Sequence, residues 1–142
     1  MSIPTILLVE DRPSDVRLIV EAFKANNMQN NLSIIGNGED AVQFLKQKGK
    51  YCEAPRPDIV LLDLKIPKLD GHEVLREIKE DKNLLTIPVI ILSNSDSSAD
   101  INKSYKYHAN CYLTKPFKMA EFIDVVKFID MFWFGYVKLP KK

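Results

Sequence analysis

Net charge is almost absent from this chain: 20 basic residues stand against 19 acidic ones, leaving +1 over 142 residues. No overall field draws it to nucleic acid or to an anionic membrane, so neither is expected as a partner. Long apolar runs are missing as well, and the longest fall far short of the roughly 18–20 residues that a membrane span needs. The start "MSIPTILLVEDR" has neither the cationic head nor the cleavage site of a signal peptide. Cysteine is scarce, and Cys52 and Cys111 form no metal motif. They read as small buried or half-buried thiols in a reducing compartment, which points to a cytoplasmic protein. No repeat or low-complexity stretch occurs, and the basic end "KLPKK" reads as a short solvated tail of residues 138–142.

A hydrophobic fraction of 46% is ample for a buried core, and the length suits one domain over 1–142, with its core at about 4–137. Apolar runs alternate with amphipathic segments five times. Strands are expected at 5–10, 31–36, 58–63, 87–93 and 109–114. Helices are expected at 13–27, after Gly38, after Gly71, at 97–107 and from about 119 to 137. Val16, Ile19, Val20 and Phe23 recur at helical spacing in the first helix, where Pro13 is tolerated in the opening turn. The third and fourth strands are unbroken apolar runs, the mark of parallel strands covered on both faces. Five strand–helix repeats imply a doubly wound α/β sheet with right-handed crossovers. All strand C-termini then share one rim, where sites of such sheets sit.

That rim collects chemistry from distant segments. The first strand ends at Glu10 and Asp11, the third at Asp63 and the fourth at Ser93, while "TKP" puts Lys115 after the fifth. Two like charges about 4 Å apart repel by roughly 4 kcal/mol at an effective dielectric near 20. One lysine cannot offset three acids, but a divalent cation can. Oxygen-only ligands favour Mg²⁺ over zinc or copper. The expected ligands are Asp11 and Asp63, with Glu10 nearby through water. Each residue alone has a plainer reading: a solvated strand end for Glu10 and Asp11, a loop cap for Asp63, a helix cap for Ser93, a surface charge for Lys115. Their joint placement on one rim is what argues for a site.

"LLVEDRPSD", "IVLLDLKIPKLDG", "VIILSNS" and "YLTKP" together resemble the receiver domain of two-component response regulators, over about residues 4–137. The loop "APRPD" and the ending "FWFGYVKLP" look like the small stand-alone receivers that partner phytochrome-type histidine kinases. The resemblance implies a flavodoxin-like strand order 2-1-3-4-5 with five helices. It implies that Asp63 takes a phosphoryl group from a sensor histidine kinase, as an acyl phosphate. It assigns Mg²⁺ to Asp11, Asp63 and the backbone carbonyl of Lys65, with Glu10 assisting. Ser93 and Lys115 would bond the phosphoryl oxygens, Tyr112 would be the switch aromatic, and Pro116 would follow a cis bond. Such a receiver catalyses its own phosphorylation and dephosphorylation but is not otherwise an enzyme.

The helix at 97–107 carries few apolar residues, chiefly Ile101 and Tyr105, so it is the expected mobile element. Lys65 departs from the small polar residue or Asn usual two positions after the acceptor, and its ammonium is expected to shield the acyl phosphate. Little chain follows Val137, so output to a downstream protein target is expected through contact rather than a DNA-binding module. At about 100° per residue, Phe122, Val125, Val126, Ile129, Phe132, Trp133 and Tyr136 form a stripe for the sheet. Phe128, Met131 and Phe134 fall outside it and suggest a homodimer or partner surface. Rival readings are weaker. A phosphatase of the haloacid dehalogenase type needs an Asp where Lys65 stands. A flavodoxin-like cofactor binder needs a hydroxyl-rich loop where "EDRPSD" offers carboxylates. A phosphate-independent pseudo-receiver scaffold, or an intermediate carrier in a phosphorelay, would share the same fold.

Overall fold

In a computed structural model, which describes residues 3–115 and 118–141, the apolar runs become the strands of one parallel sheet. The elements alternate throughout: β1 Thr5–Val9, α1 Pro13–Ala25, β2 Asn31–Ile35, α2 Gly38–Lys46, β3 Ile59–Leu62, α3 Gly71–Glu80, β4 Val89–Ser93, α4 Ser98–Lys106, β5 Cys111–Thr114 and α5 Met119–Phe128. Among the described residues the strand order is β2-β1-β3-β4-β5, the flavodoxin-like doubly wound order. Several strands are a residue or two shorter than their apolar runs. β4 starts after Pro88, which has no N–H to give a ladder, although its carbonyl accepts from Val60.

Side-chain alternation along the strands divides the core in two. Leu7, Val9, Val60, Leu62, Val89 and Ile91 face α2 and α3, meeting Phe44, Leu45, Val74, Leu75 and Ile78. Ile6, Leu8, Ile59, Leu61, Ile90 and Leu92 face α1 and α5, meeting Ile19, Phe23, Phe122 and Val126. The central strands β1, β3 and β4 are buried along their whole length, whereas β2 and β5 are half-exposed edges.

Two expectations change. Cys52 is exposed and only Cys111 is half-buried. The last helix does not stay α-helical to 137: residues Ile129–Tyr136 wind with the wider π pattern. An i→i+5 turn advances each residue by less than an α-helical turn does, so the wheel loses phase beyond Ile129. Phe132 and Tyr136, assigned to the buried stripe, are exposed, at 43% and 78%. Phe134, assigned to the outer surface, is half-buried against the α1–α5 core. Phe128 and Met131 are exposed as expected. No helix among the described residues is long and apolar enough to cross a membrane.

Candidate functional site: an acidic pocket around a buried lysine

β3 delivers Asp63 to the rim with its backbone N–H bonded to Val9 O at 3.0 Å. Asp63 is buried, with 5% of the residue exposed. Its Oδ1 accepts from the Leu64 N–H at 2.8 Å, which leaves Oδ2 facing the pocket. The turn that follows folds back tightly. Gly71 N–H donates to Leu64 O at 2.8 Å, and a Cβ on Gly71 would collide with the Asp63 carbonyl. Glycine is required there by close approach, not by backbone angle. Asp70 then caps α3 by accepting from Glu73 N at 2.9 Å.

Glu10 and Asp11 leave β1 beside Asp63. One carboxylate oxygen from each of the three lies within 4.8 Å of the others, with Glu10 and Asp63 buried and Asp11 open to solvent. Three hard oxygen donors at that spacing, one side open, suit a divalent cation that keeps part of its water shell. They offer neither sulfur nor imidazole for a softer metal. Lys65 lies in the exposed loop after β3. It is close enough to Asp100 for its charge to help lower that carboxyl's pKa.

Lys115 enters from the end of β5, where its N–H donates to Ser93 O at 2.7 Å. Its side chain is 1% exposed and reaches three acids: Glu10 Oε2 at 2.8 Å, Asp15 Oδ2 at 2.9 Å and Asp63 Oδ2 at 3.3 Å. Burial disfavours the ammonium, yet these carboxylates outweigh it and push the Lys115 pKa above its ordinary value. Glu10 moves the other way for an acid. Burial, reinforced by Asp63, lifts its pKa from 4.5 to about 7, against the pull of Lys115. Ser93 is 1% exposed at the end of β4, with its hydroxyl accepting from Ser95 N–H at 3.2 Å. Tyr112 is half-buried and donates its hydroxyl to Ser95 O at 2.7 Å. Pro116, expected after a cis bond, lies outside the described residues.

Asp15 is the site residue that sequence reasoning missed. It stands in the first turn of α1, four residues after Asp11, and an acid there reads as a favourable partner for the helix dipole. The signal that could have found it is directional: side chains of a helix lean toward its N-terminus, and this N-terminus begins on the rim.

The four motifs thus meet at one rim of the sheet, and the chain matches a known group of proteins. Residues 6–127 match the family model described as the response regulator receiver domain. The chain belongs to that family. Response regulator Rcp1 of Synechocystis sp. is 44% identical to this receiver over 135 residues, which cover 95% of this chain and 92% of Rcp1. A crystal structure of the Mn²⁺-bound form of Rcp1 superposes with a TM-score of 0.90 at 43% identity, covering 97% of this receiver and 99% of that chain. The phosphorylated cyanobacterial phytochrome response regulator RcpA superposes with a TM-score of 0.93 at 43% identity, covering 99% and 100%.

Proposed function

We propose that this receiver accepts a phosphoryl group on Asp63 from a sensor histidine kinase, with Mg²⁺ as cofactor, and signals by contact with another protein in the cytoplasm. The observation that carries the reading is the buried Lys115 ammonium, 3.3 Å from a buried aspartate that is itself one of a three-carboxylate cluster. Phosphoryl transfer depends mainly on positioning and on neutralising the oxygens of the group in flight. Glu10, Asp11 and Asp63, with the Lys65 carbonyl, would hold the metal, which when bound supplies positive charge against the incoming phosphate. Lys115 and the Ser93 hydroxyl would bond the phosphoryl oxygens. Rcp1 in its Mn²⁺-bound form and RcpA in its phosphorylated form support both halves of the reading. The name of RcpA further supports a phytochrome-like kinase as the donor.

Tyr112 and α4 would carry the signal across the surface, since a new dianion beside Ser93 draws its hydroxyl away from Ser95. A homodimer would form through Phe128, Met131, Phe132 and Tyr136, which with Asp124 and Lys127 line an open groove of about 400 Å³. Phe128 and Phe132 stack there with centroids 5.4 Å apart. Opposite charges on one rim suit a two-fold contact, where Asp124 of each copy meets Lys127 of the other. Phe134, originally grouped with this surface, packs inward and is left out of it.

The deciding experiment is incubation with acetyl phosphate and Mg²⁺ followed by intact mass. One added phosphoryl group is expected, lost in Asp63→Asn and in excess chelator. Equal labelling of Asp63→Asn would remove the proposal. For the dimer, Met131→Asp is expected to convert a concentration-dependent dimer into a monomer in sedimentation. A wild-type chain that stays monomeric at high concentration would end that part alone.

A further inference from the structure

We infer that Asp15 is a positioning residue for phosphoryl transfer, acting through Lys115; this rests on the receiver reading above and adds a residue to it. An ammonium has three protons to donate. In this pocket one meets Glu10 Oε2 at 2.8 Å and another meets Asp15 Oδ2 at 2.9 Å. The third side faces Asp63 Oδ2 at 3.3 Å, an ion-pair distance longer than the other two. Glu10 and Asp63 belong to the cluster suited to the metal, and Asp15 does not. Asp15 is therefore the partner that Lys115 keeps when the other two carboxylates turn to a cation.

Its position on α1 gives it a second effect. With Glu10 and Asp63 as its remaining acidic partners among the described residues, a buried ammonium would be drawn more closely onto Asp63 to offset its desolvation. It would then cover the carboxylate that must react. Asp15 supplies a pull from the side and leaves Lys115 beside Asp63 rather than on it. In the transfer from acetyl phosphate, a carboxylate oxygen of Asp63 bonds to phosphorus. The bond from phosphorus to the donor oxygen breaks, and acetate leaves with the electron pair. The ammonium must wait at the distance where a phosphoryl oxygen, and not Asp63, takes its remaining proton. The charge of Asp15 itself is already shared between Lys115 and the Arg12 guanidinium at 3.9 Å. Removing it changes the field at Asp63 less than it changes where Lys115 sits.

The test is the initial rate of labelling of the full chain by acetyl phosphate at saturating Mg²⁺, for wild type and Asp15→Asn. Asp15→Asn is expected to label about tenfold more slowly. Its Mg²⁺ dissociation constant, by calorimetry, is expected to stay within about threefold, as for loss of one screened charge. A crystal structure of Asp15→Asn is expected to show Lys115 Nζ moved to hydrogen-bond distance from Asp63. A wild-type rate, a faster one, or a slower one with Nζ unmoved overturns the inference. Failure of wild type itself to label would instead strike the receiver reading, so the two failures are told apart.

Discussion

α3 and α4 flank the same side of the sheet and are held to it in opposite ways. α3 buries Gly71, His72, Val74, Leu75 and Ile78, and its three apolar residues Val74, Leu75 and Ile78 are wholly enclosed. α4 buries Ser104 alone among its described residues. Ile101 is half-buried, and Tyr105, expected as an apolar anchor, is 48% exposed. Polar bonds replace packing there. Ser104 Oγ donates to Asp100 O at 2.8 Å, so it accepts from His72 Nε2 at 3.0 Å, which puts the histidine proton on that nitrogen. Ser95 donates to the Asp100 carboxylate at 2.6 Å, and Tyr112 N–H donates to the Tyr105 hydroxyl at 3.1 Å. The same Tyr105 hydroxyl covers an N–H on the open edge of β5. Apolar packing resists any displacement, whereas a few directional bonds can be exchanged for others at small net cost. If, as proposed, the fold answers one phosphate with a movement, it needs the second kind of attachment next to the first.

The largest effect should come from the packed side. Leu75→Ala removes fully enclosed atoms from α3 and is expected to lower unfolding free energy by about 2–5 kcal/mol. Ile101→Ala on α4 should lower it by less than about 1 kcal/mol. Denaturant midpoints of the two variants measure the contrast directly, and equal losses would erase it.

A smaller effect belongs to the pocket between the two cores. Glu10 has a folded pKa of about 7, above its ordinary value of 4.5, because of burial and Asp63. Between these values the folded protein holds a proton that the unfolded chain releases, so stability falls as pH rises through this window and levels off above it. After discounting for screening, the change is on the order of 1–2 kcal/mol. Melting in chelator from pH 5 to 8 is expected to show the decline in wild type and not in Glu10→Gln. Its presence in both would assign it elsewhere.

Next comes the polar attachment itself. Ser104→Ala leaves the His72 N–H only its longer 3.4 Å contact with Asp100 O at the α3–α4 contact and is expected to cost about 1 kcal/mol. The loss should be local. Amide exchange should quicken in residues 98–106 and stay unchanged in 71–80. Binding of beryllofluoride as a phosphoryl mimic should alter exchange over 95–114 and likewise spare α3. Uniform changes across both helices would mean that they move as one body.

How far these differences can be read without coordinates depends on what produces them. The strands were legible because a parallel strand buried on both faces must be apolar at every position, as in Val60–Leu61–Leu62 and Ile90–Ile91–Leu92. The rim acids and Lys115 were legible because strand ends lie together in any such sheet. The grip of Asp15 on Lys115 was not, since it spans 100 residues and depends on how α1 leaves β1. Nor was the His72–Ser104 bond, which depends on the register of two helices packed side by side. The wheel failed beyond Ile129 for a local reason: a change of helical pitch leaves no mark in a pattern assumed to have one period.

The smallest effect tests whether α4 feels the loop after β3, which follows the proposed acceptor Asp63. Lys65 is exposed, and its charge, with the Ser95 and Ser97 hydroxyls and His72, holds the Asp100 carboxyl below its ordinary range. The Ser95 hydrogen bond is the main cause, so Lys65 contributes the lesser part. A phosphoryl group on Asp63, as proposed, would be a dianion and a stronger attraction for Lys65 than the Asp100 carboxylate. Shielding of the acyl phosphate would then be coupled to loss of one electrostatic tie on α4. An exposed pair of charges is worth about 0.2–1 kcal/mol, so Lys65→Asn is expected to shorten the acyl-phosphate lifetime by about two- to fivefold. The same substitution made in Asp100→Asn should have a larger effect, because there Lys65 has no competing partner and shields more fully. Decay followed by intact mass after removal of the donor measures both. Equal lifetimes in wild type and Lys65→Asn would mean that the loop lysine is solvated and that α4 is tied to the site through Ser95 and Tyr112 alone.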